Sequence, residues 1–530
     1  MRGLPVTARV LREYLALFLW SLALFAGCYS LNTRHNNFPY YCHPDEPGKV
    51  EQVLTGDWNF HHPMLLLAAT RLAVDVTGAP HNEQSIVEVG RRVSAAFIAA
   101  AVVAFSLLAY LWRGWLPAVT AGFTLTLHHQ LFELAHYMKE DSALLMGLAF
   151  AFLAALAYAQ SPSAWRAVVL GASCGLAISG KYVGFSALIV ALPVVWHCSE
   201  AERGRRLGWF GGALVGMIVA VNLPLLLHPG LFEHSFNREM QLVISGQGDV
   251  TRRVPHLLYW NVFVDNSTPL IWLFSIAFLV FSWQRRSQLN LAQILIALFP
   301  FTFAVALSFS PKENDRYFLP VSALFTLLAS LGVWDAPRLV LHFFQFFGLP
   351  HPERAMSGRW RWEALAVGSA ALVVTQLSGW FFTKPGWLAY DAAFERDDGA
   401  ELVAWMKQNL PANVKVAADA RTGLTDVTKK KYEGKLPAVP QAVTVSRLAS
   451  DLGSLQTLRD QGYAYVAVSE SSYGRFFRSD LRAKDDKDQK YRAGRAFYEE
   501  LLRGEPLFDR ERGTVIYLHP GIRVYKIPEA

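Results

Sequence analysis

Residues 136–160 read HYMKEDSALLMGLAFAFLAALAYAQ. From Ser142 to Gln160 the run carries no charge, and it follows directly on Lys139, Glu140 and Asp141. An apolar run approaching ~20 residues is long enough to cross the hydrocarbon of a bilayer as a helix. Hydrocarbon offers no partner to a backbone N–H or C=O, so such a run must be helical or part of a closed barrel. The charges at its edge then sit at a membrane boundary, where ionisable side chains are costly and point to function.

The same kind of run recurs at 10–30, 91–111, 115–135, 165–180, 182–197, 207–228, 267–283, 291–310, 316–334 and 361–383. With 142–160 this gives eleven expected spans. The expected fold class is a polytopic α-helical membrane protein, with residues 1–383 as the transmembrane part. Residues 384–530 read as a small soluble α/β domain. Of 530 residues 52% are apolar and 18% charged, concentrated as just described, which excludes a cytosolic protein, a disordered chain and a disulfide scaffold. Cys28, Cys42, Cys174 and Cys198 show no CxxC spacing, so neither a zinc knuckle nor a redox motif is supported. Phe25-Ala26-Gly27-Cys28 loosely resembles a lipoprotein cleavage box, but an uncleaved first span is the better reading. The net charge of +7 is carried partly by arginines in short loops, where it reports membrane orientation and argues against nucleic acid as a partner.

Arg2, Arg9 and Arg12 precede or open the first span. Arg203, Arg205 and Arg206, then Arg285 and Arg286, then Arg338, Arg354, Arg359 and Arg361 fall in loops separated from it by an even number of crossings. The positive-inside rule makes that side cytoplasmic. Loops 31–90, 136–141, 229–266 and 311–315, the turn at Gly180-Lys181 and the C-terminal domain are then expected outside. The two long loops are expected to carry short helices along the interface, with Trp58, Tyr259 and Trp260 at headgroup level. In the tail, Glu401 to Leu410 and Arg495 to Leu502 have helical spacing, whereas Val414 to Ala417, Tyr463 to Val468 and Ile522 to Ile527 are β-rich. Lys429 to Lys431 and Lys484 to Lys487 read as solvated loops.

Four charged clusters fall on the expected outer side. His43-Pro44-Asp45-Glu46-Pro47, followed by Glu51, places an acidic pair between two prolines that restrict its backbone. Asp45 there is either a helix cap or a positioned base able to take a proton from a hydroxyl. His136 to Asp141 is the second cluster, in which Asp141-Ser142 can also cap the following helix. His129, Glu133 and His136 share a helix face, which suits a hydrogen-bonded interhelical cluster better than zinc. The third is Gly180-Lys181-Tyr182, with a lysine that either snorkels or binds an anion. The fourth is Pro311-Lys312-Glu313-Asn314-Asp315-Arg316-Tyr317, where Lys312 and Arg316 either hold an anion or neutralise the neighbouring acids. One chemistry uses carboxylates and cations together: a carboxylate deprotonates an acceptor while cations or a metal stabilise a departing phosphate. Neither a Walker loop nor a GxGxxG fingerprint is present, which disfavours a nucleotide-driven machine.

These residues carry a resemblance. His43-Pro44-Asp45-Glu46-Pro47, Gly56-Asp57-Trp58-Asn59 and His62-Pro63 resemble the first outer loop of GT-C glycosyltransferases of the protein-mannosyltransferase-like group, which includes the lipid A aminoarabinose transferase. His136 to Asp141 resembles its second acidic loop. Gly175-Leu176-Ala177 with Lys181-Tyr182, and Arg316-Tyr317-Phe318-Leu319-Pro320, resemble later landmarks in the same order. Tyr465 to Ser469 and Phe497-Tyr498 are like the outer domain of bacterial members. The resemblance covers nearly the whole chain. It implies inverting transfer of one sugar from a polyprenyl-phosphate donor to a glycan, lipid or protein acceptor at the outer face of the membrane.

By the same resemblance Asp45 is the general base, with Glu46 and Asp141 beside it in the catalytic set. Substrate binding falls to Glu51, His43, His62, His136, Lys139, Lys181, Lys312, Arg316 and Tyr317, of which Lys181 and Arg316 are the candidates for the carrier phosphate. Some relatives bind a divalent cation and some do not; Asp45, Glu46, His43 and His136 are the candidate ligands here. Met138-Lys139-Glu140 departs from the pattern, since a small residue or proline is expected beside the acid. The competing reading is a transporter or flippase that moves a lipid-linked sugar without chemistry. Against it, no inverted repeat and no pair of broken spans is visible.

Overall fold

The computed structural model describes residues 6–39, 42–245, 250–252, 260–262, 264, 267–310, 314–347, 359–379, 386–425, 439–484 and 487–528. Lys312, Tyr259 and Lys429 to Lys431 lie outside them. The helices run α1 (Val6–Asn32), α2 (Glu46–Thr55), α3 (Leu65–Thr77), α4 (Glu83–Arg113), α5 (Trp115–Thr126), α6 (His129–Ala135), α7 (Glu140–Gln160) and α8 (Ala164–Gly180). After a 3₁₀ turn (Tyr182–Ala187) come α9 (Leu188–His197), α10 (Arg203–Leu227), α11 (Pro229–Ser245), α12 (Pro269–Gln284) and α13 (Leu291–Ser308). A second 3₁₀ turn (Asp315–Phe318) leads into α14 (Leu319–Gly332), α15 (Ala336–Phe346), α16 (Arg359–Ser378) and α17 (Trp387–Ala393).

Among the described residues each expected span falls largely on helix, though not always on one helix. Among the described residues six helical stretches are long and apolar enough to cross a bilayer, and three more are shorter and apolar. Their surfaces agree: α1 exposes Leu11, Phe18, Leu19 and Leu22, as lipid contact allows, whereas α14 is buried from end to end. The two long loops, 31–90 and 229–266, do carry short helices: α2 and α3 in the first and α11 in the second.

One span departs from expectation. Residues 115–135 are not one helix; the chain breaks at Leu127-His128, where His128 is extended (φ −73°, ψ 114°). The break turns α6 so that Gln130 donates to the Asp315 carbonyl at 3.2 Å. That bond anchors the turn that carries Arg316.

Close helix contact positions a second cation. At Gly180 an added Cβ would lie 2.7 Å from the backbone of Ala143 and Leu144. Only glycine lets the end of α8 press against the start of α7, and this contact delivers Lys181 to Asp141. Gly180→Leu is expected to cost about 1–3 kcal/mol through overpacking as it pushes the end of α8 away from α7. A thermal unfolding midpoint reads the effect; an unchanged midpoint would remove the packing argument.

The C-terminal residues form a mixed five-stranded sheet in the order β3-β2-β4-β7-β6. A short β1 (Val250–Arg252) belongs to a separate pair. The sheet's strands are β2 (Lys415–Asp419), β3 (Ala442–Ser446), β4 (Tyr463–Ser469), β6 (Phe508–Asp509) and β7 (Ile522–Lys526). β2 runs parallel to β3 and β4, while β7 is antiparallel to β4. Leu402 and Met406 pack on one face of the sheet, and Phe497, Tyr498 and Leu501 on the other. β1, from the long loop after α11, pairs with β5 (Leu481–Ala483). Sequence reading gave three of the five strands and both flanking helices. It missed β3, in which Val443 and Val445 are buried between less buried neighbours, and the two-residue β6.

Candidate active site

α2 starts at Glu46 with Pro47 in its first turn, and Asp45 occupies the N-cap position. The Asp45 carboxylate makes no capping hydrogen bond. It points instead to Lys139 Nζ and to the Arg316 guanidinium, 3.1 Å away. The choice between a helix cap and a positioned carboxylate is thereby decided in favour of the second. The His43 ring accepts the Asp45 backbone N–H on Nδ1 at 3.2 Å. That bond requires an unprotonated Nδ1, and burial followed by the charge of Lys139 pushes His43 well below its ordinary value.

α7 opens next to it. Asp141 accepts from Lys181 Nζ at 2.7 Å, and its other oxygen lies 3.8 Å from Arg316. Glu140 pairs with Lys49 at 2.9 Å and lies 3.9 Å from both His62 and Lys139. Lys181 sits 4.6 Å over the ring of Tyr317. Asp45, Glu140 and Asp141 thus share one site with Lys49, Lys139, Lys181 and Arg316. Their side chains are mostly buried, but 39% of Asp45 stays exposed, so the carboxylate remains reachable.

The electrostatics follow from this crowding. Burial raises the Asp45 carboxyl, but Lys139, Lys49 and Arg316 together hold it far below the usual carboxylate range. Glu140 is likewise held down, against its burial, by His62, Lys49 and Lys139, and Asp141 by Lys181 and Arg316. Lys139 is pushed down to about 7, first by complete burial and then by Lys49 and Arg316. Three carboxylates thus face three firmly charged cations and Lys139, which titrates near 7, so the site is close to neutral and its cations can turn to an anionic group.

Three expected site residues take other places, and a fourth is not described. Glu46 is fully buried: both its oxygens accept from Arg91, at 2.9 and 2.6 Å, and one also accepts the Met138 N–H at 3.1 Å. It fastens α2 to α4 and to the Met138 loop, which makes it a positioning group for Asp45. Glu51 lies on the exposed face of α2, away from the cluster. His136 is buried with Phe132 and Arg34 carbonyls 2.7 and 2.8 Å from its ring nitrogens, and it stacks 4.0 Å from Phe394. It is a packing residue. Lys312 falls outside the described residues.

The candidate cation ligands do not converge. Glu46 is taken up by Arg91, His43 Nδ1 by a backbone N–H, and both ring nitrogens of His136 by carbonyls. Among the described residues no group of three His, Cys, Asp or Glu is arranged to hold a metal ion. His129 stacks on Tyr390, away from the zinc spacing considered for it.

Three participants were not anticipated. Arg91 opens an apolar run and reads as a span end; only the cost of a buried guanidinium marked it. Lys49 lies one helical turn past Asp45, on the same face. Tyr517 comes from the C-terminal segment, its ring 4.5 Å from His43 and 5.6 Å from Tyr137. The unusual Met138 also has an explanation: a Cβ on Gly90 would meet its sulfur at 2.5 Å, so the bulk is accommodated in α4.

Comparison with known proteins agrees with the sequence resemblance. Residues 72–233 match the family described as dolichyl-phosphate-mannose-protein mannosyltransferase. No curated protein matches the chain. Among solved structures it is similar to ArnT from Cupriavidus metallidurans bound to undecaprenyl phosphate, at 13% identity over 98% of both chains and a TM-score of 0.50. It is also similar to the archaeal oligosaccharyltransferase AglB from Archaeoglobus fulgidus in complex with an inhibitory peptide and a dolichol-phosphate. There the identity is 12%, over 86% of this chain and 70% of that one, with a TM-score of 0.49.

Proposed function

The chain has the fold of GT-C glycosyltransferases, and from that premise we propose that it transfers one sugar, with inversion, from a polyprenyl-phosphate donor to an acceptor hydroxyl or amine. The reaction is placed at the outer face of a bacterial inner membrane, with residues 1–383 as the transmembrane catalytic domain and residues 384–530 as a periplasmic domain that supplies Tyr517. The observation that supports it most is the Asp45 carboxylate held between Lys139 and Arg316, beside the Asp141–Lys181 pair. ArnT was solved with undecaprenyl phosphate, a lipid phosphate of the kind this site suits.

In the proposed reaction the acceptor attacks the anomeric carbon. Asp45 takes its proton, the sugar–phosphate C–O bond breaks, and the carrier phosphate leaves with the electron pair. Arg316 and Lys181 stabilise the charge that develops on the phosphate oxygens, the kind of fixed electrostatic stabilisation that dominates many rate enhancements. Arrival of the phosphate also loosens the cations' hold on Asp45, which makes it a better base when the donor is bound. Glu46 and His43 position that carboxylate and touch no substrate.

Purified protein in proteoliposomes, given a radiolabelled polyprenyl-phosphate sugar and envelope acceptors, tests the reading. Covalent label on an acceptor supports transfer. Label that only changes leaflet establishes the transporter instead. Arg316→Ala and Lys181→Met are each expected to weaken carrier binding about ten- to a hundredfold, the range for a hydrogen bond to a charged group, with less effect on the acceptor's KM. A larger loss on the acceptor side would reassign those residues.

A further inference from the structure

A second charged centre lies at the other end of the helix bundle. Asp335 is 2% exposed and is shared by three arginines: Arg113 at 2.6 Å, Arg285 at 3.1 Å and Arg338 at 3.3 Å. They come from the end of α4, the end of α12 and the start of α15. Its position follows from helix geometry. Arg91, beside the Asp45 site and about two turns into α4, and Arg113, the last residue of that helix, are roughly 33 Å apart at 1.5 Å per residue. The hydrocarbon core of a bilayer is about 30 Å thick, so the two centres are separated by one membrane thickness.

The arginines line a cavity of about 530 Å³ whose remaining walls include Trp334 and Trp362. One carboxylate cannot use the donors of three guanidiniums. The Arg285 and Arg338 side chains are 35% and 48% exposed and reach the opening. α15 continues from this point with Phe343, Phe346 and Phe347 exposed on its surface, the dress of a helix lying in a membrane interface.

We propose that this cavity binds the headgroup phosphate of an anionic glycerophospholipid in the leaflet opposite the Asp45 site. Guanidinium forks match phosphate oxygens in pairs, tryptophan rings favour the headgroup level, and basic pockets between transmembrane helices take anionic headgroups. Asp335 holds the three arginines in register while leaving them a net positive charge. The aromatic walls and the neighbouring apolar surface of α15 favour a lipid over free phosphate. The proposal rests on the multi-pass reading and not on sugar transfer.

The test uses the full chain in a neutral detergent, titrated with phosphatidylglycerol, phosphatidylcholine or inorganic phosphate, with bound lipid counted by native mass spectrometry. Phosphatidylglycerol should be retained in preference to phosphatidylcholine and should resist inorganic phosphate. Arg285→Gln with Arg338→Gln should weaken it roughly twenty- to thirtyfold, about fivefold per charge. Should the double variant fail to fold, Arg338→Gln alone, which removes one half-exposed partner, should still show the fivefold step. Equal retention of phosphatidylcholine, unchanged retention in the variants, or binding of inorganic phosphate as tight as that of lipid would each overturn the proposal. Asp45→Asn should leave lipid retention unchanged, so the two readings fail separately.

Discussion

Asp45→Asn is expected to lower turnover by about a hundred- to ten-thousandfold, the usual contribution of a positioned general base, without weakening carrier binding. The asparagine side chain has nearly the same shape and keeps its partners within reach, but it takes no proton. Losing the charge leaves Lys139, Lys49 and Arg316 with two carboxylates instead of three. Lys139, already pushed down to about 7 by burial, can release its proton, which limits the cost to folding. A competitor for the cations is also gone, so the carrier phosphate should bind at least as tightly as before. Turnover and carrier affinity measured on one preparation check both halves. Retained turnover would remove Asp45 as the base, and weakened carrier binding would show that Asp45 helps hold the donor.

Arg91→Ala is expected to be the most destabilising single change near the site, by about 3–5 kcal/mol for a buried ion pair left with one charged member. The Arg91 guanidinium is fully buried and serves four groups at once: the Glu46 carboxylate and the carbonyls of Asn36, Phe38 and Pro39. Its removal strands Glu46 and frees the loop ahead of Asp45. A loss of that size is a large share of the 5–15 kcal/mol that holds a typical protein folded, so folded yield should fall sharply. The double change Arg91→Met with Glu46→Leu removes both charges, which by itself is often neutral. It newly orphans only the Met138 N–H, at about 1–3 kcal/mol, because the loop carbonyls lose Arg91 in the single variant as well. The double variant should therefore recover part of the loss, never all of it, and should remain slow because nothing then holds Asp45 in register. Thermal unfolding of both variants decides: equal stability of single and double would show that the ion pair is not what matters.

Much of this site was legible in the chain. Asp45, Asp141, Lys181 and Arg316 lie at the edges of apolar runs, where a charge has no cheap explanation, and all four meet in space. Glu51 was placed with them by the resemblance. Six residues advance a helix by about 600°, which leaves Glu51 roughly 120° around the axis from Asp45, and the helix turns it to solvent. Arg91 was read as a span boundary because periodicity reports which face is apolar and says nothing of who neutralises a charge. The break at His128 was hidden because buried threonines and histidines inside a helix bundle leave the hydropathy of a span almost unchanged.

The sequence by itself determined the apolar runs, their order and the polar turns between them, because a bilayer admits helical backbone almost regardless of its neighbours. Tertiary structure alone decided which acid meets which cation. Asp45 joins Lys139 across 94 residues and Arg316 across 271, and ion pairing depends on ångströms that only the packing of α4, α7 and α8 and the turn before α14 can set. The same packing placed a second group of arginines one bilayer thickness away, where no pattern along the chain distinguishes a lipid-binding cavity from a row of inside-facing charges.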